Sequence, residues 1–108
     1  MSVKSRANRG LHFLTIRAVQ KQRRNTNQRK RDGAYVNCWI DFQLYDGALL
    51  LAKFYIRKYG WQIRSVVQRR WIDGLFDIPR ESAKYFREAK RDGVSFVFHH
   101  YPLRQPRK

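Results

Sequence analysis

Residues 21–31 read KQRRNTNQRKR, six Lys or Arg with no acid among them, set between two apolar segments of β-strand character. A run of such density cannot collapse on itself, because its members repel one another at close range. It can only be a connector, either solvated or resting on something strongly negative. The polymer that most commonly supplies such a surface in a cell is nucleic acid. The rest of the charge is uneven too. Residues 1–34 carry ten Lys/Arg against the single acid Asp32, residues 35–102 carry eleven against seven, and residues 103–108 carry three against none. The formal +16 thus divides into +9, +4 and +3, the layout of a modest folded body with basic extensions.

At 108 residues there is room for one core. A hydrophobic content of 43% and an aromatic content of 15% are those of a packed domain rather than a disordered basic tail. Three Trp, six Tyr and seven Phe exceed the needs of such a core, so some aromatics belong at a surface. Cys38 is the only cysteine, which leaves no intrachain disulfide and no cysteine-based zinc site. A reducing, cytoplasmic setting fits. The apolar run LHFLTI is short and broken by Arg17, and residues 48–52 fall far below the roughly 20 residues of a membrane span. Binding to an anionic membrane surface would call for an amphipathic helix with basic flanks, whereas the densest charge here lies in a turn-like segment. Neither a membrane partner nor a cofactor is expected.

Residues 1–10 read as a flexible basic arm, 11–102 as an α+β domain with 21–34 as its basic connector, and 103–108 as a basic tail. LHFLTIRAVQ (11–20) has the β-branched and aromatic content of a strand. Residues 35–42 alternate, with Val36, Cys38, Ile40 and Phe42 on one side and Tyr35, Asn37, Trp39 and Asp41 on the other. Asp46 can cap a helix that stops at Gly60 and turns Ala48, Leu49, Ala52, Ile56 and Tyr59 inward. From Trp61 to Ile72 the period returns to two. Ile63, Ser65, Val67 and Trp71 share one face, and Gln62, Arg64, Gln68 and Arg70 the other. Pro79 marks the first residue of a second helix and Gly93 its end, with Ala83, Phe86 and Ala89 inward. VSFVFHHY, ended by Pro102, is the last strand. The predicted fold is a single small α+β domain in the order ββαβαβ. Its four-stranded sheet comes from residues 11–20, 35–42, 62–72 and 94–101, with helices over 46–59 and 79–92 packed on one face. The other face is left for water, a partner or a ligand.

That second face would gather Tyr35, Asn37 and Trp39, then Arg64 and Arg70, then His99 and Tyr101. Unpaired bases stack on aromatic rings at about 1–3 kcal/mol each while neighbouring Arg groups hold phosphates. Alternatively, Trp39 and Tyr101 lie buried under the N-terminal arm or in a dimer contact. In the connector, Arg23, Arg24, Arg29, Lys30 and Arg31 form a finger suited to a phosphate backbone. The stripe Arg80, Lys84, Arg87 and Arg91 is interrupted by Glu81, Glu88 and Asp92 and reads as a solvated helix face. Only His99, His100, His12 and Asp41 offer acid–base chemistry. His99 and His100, adjacent on a strand, point to opposite faces and cannot serve one substrate together.

These features lead to a non-enzymatic nucleic-acid-binding protein. It would bind mainly through phosphate electrostatics with aromatic stacking, favour RNA or single strands over duplex DNA, and suit a small subunit of a ribonucleoprotein complex. The alternative is a protein-interaction module or inhibitor of phage or mobile-element type, docking on a nucleic-acid-processing machine. A small ribonuclease is the third reading.

Overall fold

The computed structural model describes residues 9–21 and 32–102. Strand β1 (Leu11–Gln20) runs antiparallel to β2 (Asp32–Ile40), with Leu14 opposite Cys38, Ile16 opposite Val36 and Ala18 opposite Ala34. All six are fully buried. Because side chains alternate along a strand, they form one apolar face. Helix α1 (Tyr45–Lys58) lays Ala48, Ala52 and Ile56 onto that face. The first two of these are small, which lets the helix backbone approach the sheet. Cys38 lies in this core, and burial raises its thiol pKa, keeping it protonated.

Strand β3 (Trp61–Ile72) adds antiparallel to β1, and β4 (Val94–Pro102) adds antiparallel to β2. The sheet order is β3-β1-β2-β4, and the chain order is ββαβαβ, as the sequence predicts. The two central strands carry only Ala18 and Ala34 near the end of the α1 face. Over this shallow ground the Trp61 ring reaches across from one edge strand to Phe98 and His100 on the other, at 5.7 and 5.2 Å between centroids. Gly60 and Gly93, just past the two helices, have φ of 93° and 95°. This is the left-handed region, where a side chain is strained, so each helix stops where a glycine permits the reversal.

One expectation is overturned. The two helices do not share a face. Helix α2 (Ala83–Asp92) packs Phe86 and Ala89 on Leu11, Trp39 and Ile72, with Phe13, Ile78 and Tyr85 around them. Leu11, Phe13 and Trp39 alternate with the residues beneath α1, so α2 lies on the opposite side of the sheet. The physical reason is in the strands themselves. At this end both faces of β1 and β2 are apolar, and a second apolar patch needs a cover of its own. Polar contacts then pin the helix. Lys90 Nζ lies 2.9 Å from Asp41 Oδ1 and donates to the Gly10 carbonyl at 3.1 Å, while the Ser95 hydroxyl donates to the Glu88 carboxylate.

Smaller corrections concern ends and periods. Leu44, not Asp46, stands at the α1 N-cap, and Asp46 sits in the first turn, where a carboxylate meets the positive end of the helix dipole. Pro79 begins a 3-10 turn (Arg80–Ser82), and α2 starts only at Ala83. Phe42 and Tyr59 are exposed rather than inward, because β2 ends at Ile40 and α1 at Lys58. In β3 the register against β1 shifts twice, between the partners of Thr15 and Ile16 and between those of Arg17 and Ala18. Each shift inserts one residue (Val67 and Arg64), so the even two-residue period does not hold along the strand.

Candidate nucleic-acid interface

The α2 side of the sheet has two halves. Helix α2 covers the half around Leu11, Phe13 and Trp39. Beyond it the same face continues through three cross-strand rows. The first is Gln68, Thr15, Asn37 and Val97. The second is Ser65, Arg17, Tyr35 and His99, and the third is Gln62, Val19, Gly33 and Tyr101. Strand and residue spacings make this open half about 14 Å on a side.

Its groups are pre-arranged. Thr15 Oγ1 donates to Asn37 Oδ1 at 2.9 Å, and Asn37 Nδ2 lies 3.3 Å from His99 Nε2, a polar row across three strands. The rings of Tyr35 and Tyr101 lie 5.3 Å apart and are inclined at 33°. Gly33 makes this possible. A Cβ there would come within 2.4 Å of the Tyr101 ring, so only a bare backbone lets the ring lie down across β2. Tyr35 stays 42% exposed. None of the twelve residues in the three rows is acidic, and Arg17 stands in the middle one.

The predicted platform residues therefore divide. Tyr35, Asn37, His99 and Tyr101 come together on the open half. Trp39 lies on the same face but beneath α2, only 5% exposed, with Tyr85 stacked 6.3 Å away. It has no free ring face for a base, because α2 covers it. Its indole N–H finds no acceptor among the described residues. Arg70, opposite Phe13 at the covered end, is paired with Asp77 at 2.6 Å. Arg64, an inserted residue of β3, is exposed beside Ser65. Arg23, Arg24, Arg29, Lys30 and Arg31 lie outside the described residues, as do most of the arm and the tail.

The anchor points of those extensions are described. The connector leaves β1 after Gln20 and enters β2 at Asp32, and Asp32 is the register partner of Pro102, where the tail begins. Both extensions, with nine Lys/Arg between them, are thus tethered at the edge of the open half. The acids lie elsewhere. Apart from Asp32, every Asp and Glu of the chain belongs to α2, to the turns leading into it, to the β2–α1 junction or to the first turn of α1. Several are already engaged, Asp77 by Arg70, Asp41 by Lys90 and Asp92 by Arg91. The last contact lowers the Asp92 pKa through hydrogen bonding and charge.

The groups with acid–base capacity do not converge. His99 faces the open half, His100 packs edge-on to Trp61 across the sheet, and His12 lies against the Gln43 carbonyl at the far end. Among the described residues no group of three or more His, Cys, Asp or Glu is placed to hold a metal ion. Two contributors went unnoticed in the sequence. Arg17 stood out only as a break in an apolar run, and Gly33 only as part of a connector drawn to residue 34, whereas β2 begins at Asp32. Extending the alternation of β2 to β1 would have placed Thr15 and Arg17 beside Asn37 and Tyr35. No family model matches the chain, and neither a curated protein nor a solved structure is found to be similar to it.

Proposed function

We propose that the protein binds single-stranded nucleic acid, RNA in the first instance, across the open half of the sheet. In this reading unpaired bases stack on Tyr35 and Tyr101, Arg17 and Arg64 meet phosphates, and the cations of the connector and tail add charge attraction for the backbone. The supporting observation is the segregation of charge. An acid-free polar and aromatic surface adjoins the attachment points of nine cations, while the carboxylates other than Asp32 gather at the other end. Such a field draws a polyanion to one side of the molecule and orients it there. A patch of about 14 Å takes two or three splayed nucleotides but does not span the breadth of a duplex, and stacking requires unpaired bases. The activity is binding without catalysis, suited to a small ribonucleoprotein subunit in the cytoplasm.

The test is the salt dependence of affinity for a short oligonucleotide. Neutralising about five to eight phosphates gives a slope of log K against log salt of roughly −4 to −7, the smaller magnitudes belonging to single strands. Replacing Arg23, Arg24, Arg29, Lys30 and Arg31 by Ser should flatten the slope and weaken all sequences alike, with thermal stability unchanged or slightly raised. A slope near zero in the unmodified protein would remove the proposal.

A further inference from the structure

The outer side of α1 is built unlike a solvated helix. Its core positions Ala48, Ala52 and Ile56 are buried as expected, yet Leu50 and Phe54, one turn apart on the opposite side, are 70% and 57% exposed. With Arg57 and Lys58 they line a shallow hollow of about 700 Å³. Apolar side chains at these places add nothing to the core, and an exposed apolar patch of this kind marks a contact surface. No carboxylate pairs with either cation among the described residues, and the only acid on the helix is Asp46, in its first turn.

We infer that this face docks an acidic amphipathic helix of a partner protein, its apolar side chains entering the hollow beside Leu50 and Phe54 and its carboxylates meeting Arg57 and Lys58. Charge complementarity selects that occupant. A second copy of a chain carrying +16 would bring like charges together. Nucleic acid could match Arg57 and Lys58 through its phosphates, but Leu50, 70% exposed in the same hollow, offers a base neither a stacking ring nor a polar group. A lipid surface asks for a broad apolar face along a helix, and here two residues supply it. The surface lies on the side of the sheet away from Tyr35 and Tyr101, so both can be occupied at once. The inference stands whether or not nucleic acid binds.

The probe is a labelled 16-residue peptide with Leu and Phe at i, i+3, i+4 and i+7 and Glu on the other faces. A permuted peptide of the same composition, whose apolar residues share no face, is the control. In near-physiological salt the first should bind saturably and at least ten-fold more tightly than the second. Leu50→Gln with Phe54→Gln should remove at least ten-fold of that affinity, and Arg57→Glu with Lys58→Glu a similar amount. Circular dichroism should be unchanged, because all four side chains are exposed. Oligonucleotide binding by the Leu50→Gln, Phe54→Gln protein should also be unchanged, which separates this surface from the open half. Equal binding of both peptides, no saturable binding, or binding indifferent to the substitutions overturns the inference. Association with phosphatidylserine vesicles, or dimerisation of the unmodified chain, that is lost on Leu50→Gln with Phe54→Gln overturns it as well, assigning the face to lipid or to a second copy.

Discussion

One face of the sheet carries two solutions to the same problem. At one end β1 and β2 present Leu11, Phe13 and Trp39, and a helix closes over them; at the other they present Thr15, Arg17, Tyr35 and Asn37, and no described helix does. The strands are continuous, so the difference lies in side chains alone. Where they are apolar, burial favours docking α2, and about 25 cal/mol for each Å² of apolar surface removed from water outweighs ordering the helix. Where they are polar, a helix would have to replace the water bonded to Asn37, His99 and Arg17 and would gain little in exchange. Placing α2 over only part of the face both completes the core and leaves a surface. The sharpest way to break the comparison is to make each half fail in the other's manner.

Trp39 and Tyr35 lie four residues apart on one strand and one face, yet truncation should affect different quantities. Trp39→Ala opens a cavity under α2 and should cost about 3–5 kcal/mol of folding stability, measured by denaturant unfolding. Trp39→Phe should cost far less than the Ala change, because it keeps a ring and removes an indole N–H that has no acceptor among the described residues. If Trp39→Ala instead leaves stability intact and abolishes binding, the two halves have been assigned the wrong way round.

Tyr35→Ala and Tyr101→Ala should each remove about 1–3 kcal/mol of single-strand affinity while changing stability little. Their rings are in contact, so the double substitution should cost less than the sum of the two. An oligonucleotide titration followed by fluorescence anisotropy measures this. Loss of folding without loss of affinity would make the pair structural.

The sequence disclosed the strands and helices far better than their sides. Alternation in β2 was legible because Val36, Cys38 and Ile40 are strictly apolar while Asn37 and Asp41 between and beyond them are polar. The side taken by α2 was not, since Ala83, Phe86 and Ala89 show that the helix has an inner stripe and say nothing of which patch receives it. Trp39 was the available clue, being too large and apolar for a free face beside Leu11 and Phe13, but that proximity exists only once the β1–β2 register is known. In β3 two inserted residues reset the alternation, and single-residue insertions leave no mark in a pattern already mixed. Charge segregation was hidden for a related reason. Connector and tail are 70 residues apart in sequence and become neighbours only through the pairing of Asp32 with Pro102.

The finest probe of the open half is Thr15→Val, which keeps the shape of the side chain and deletes one hydroxyl. In the folded protein that hydroxyl donates to Asn37 Oδ1, and Asn37 in turn meets His99. A net hydrogen bond contributes about 0.5–1.5 kcal/mol, and here water can replace part of it because Asn37 is only half-buried, so the stability loss should fall at the low end of that range. Its effect on binding separates two ways in which the polar row can matter. If Thr15 holds the Asn37 amide in place for a ligand, affinity should drop by a few-fold for every oligonucleotide while the salt slope stays fixed, since no cation is touched. If the row serves only to satisfy the sheet surface, stability should fall by the same small amount and affinity should not move. A change in the salt slope would contradict both and would mean that the row positions Arg17, its nearest cation.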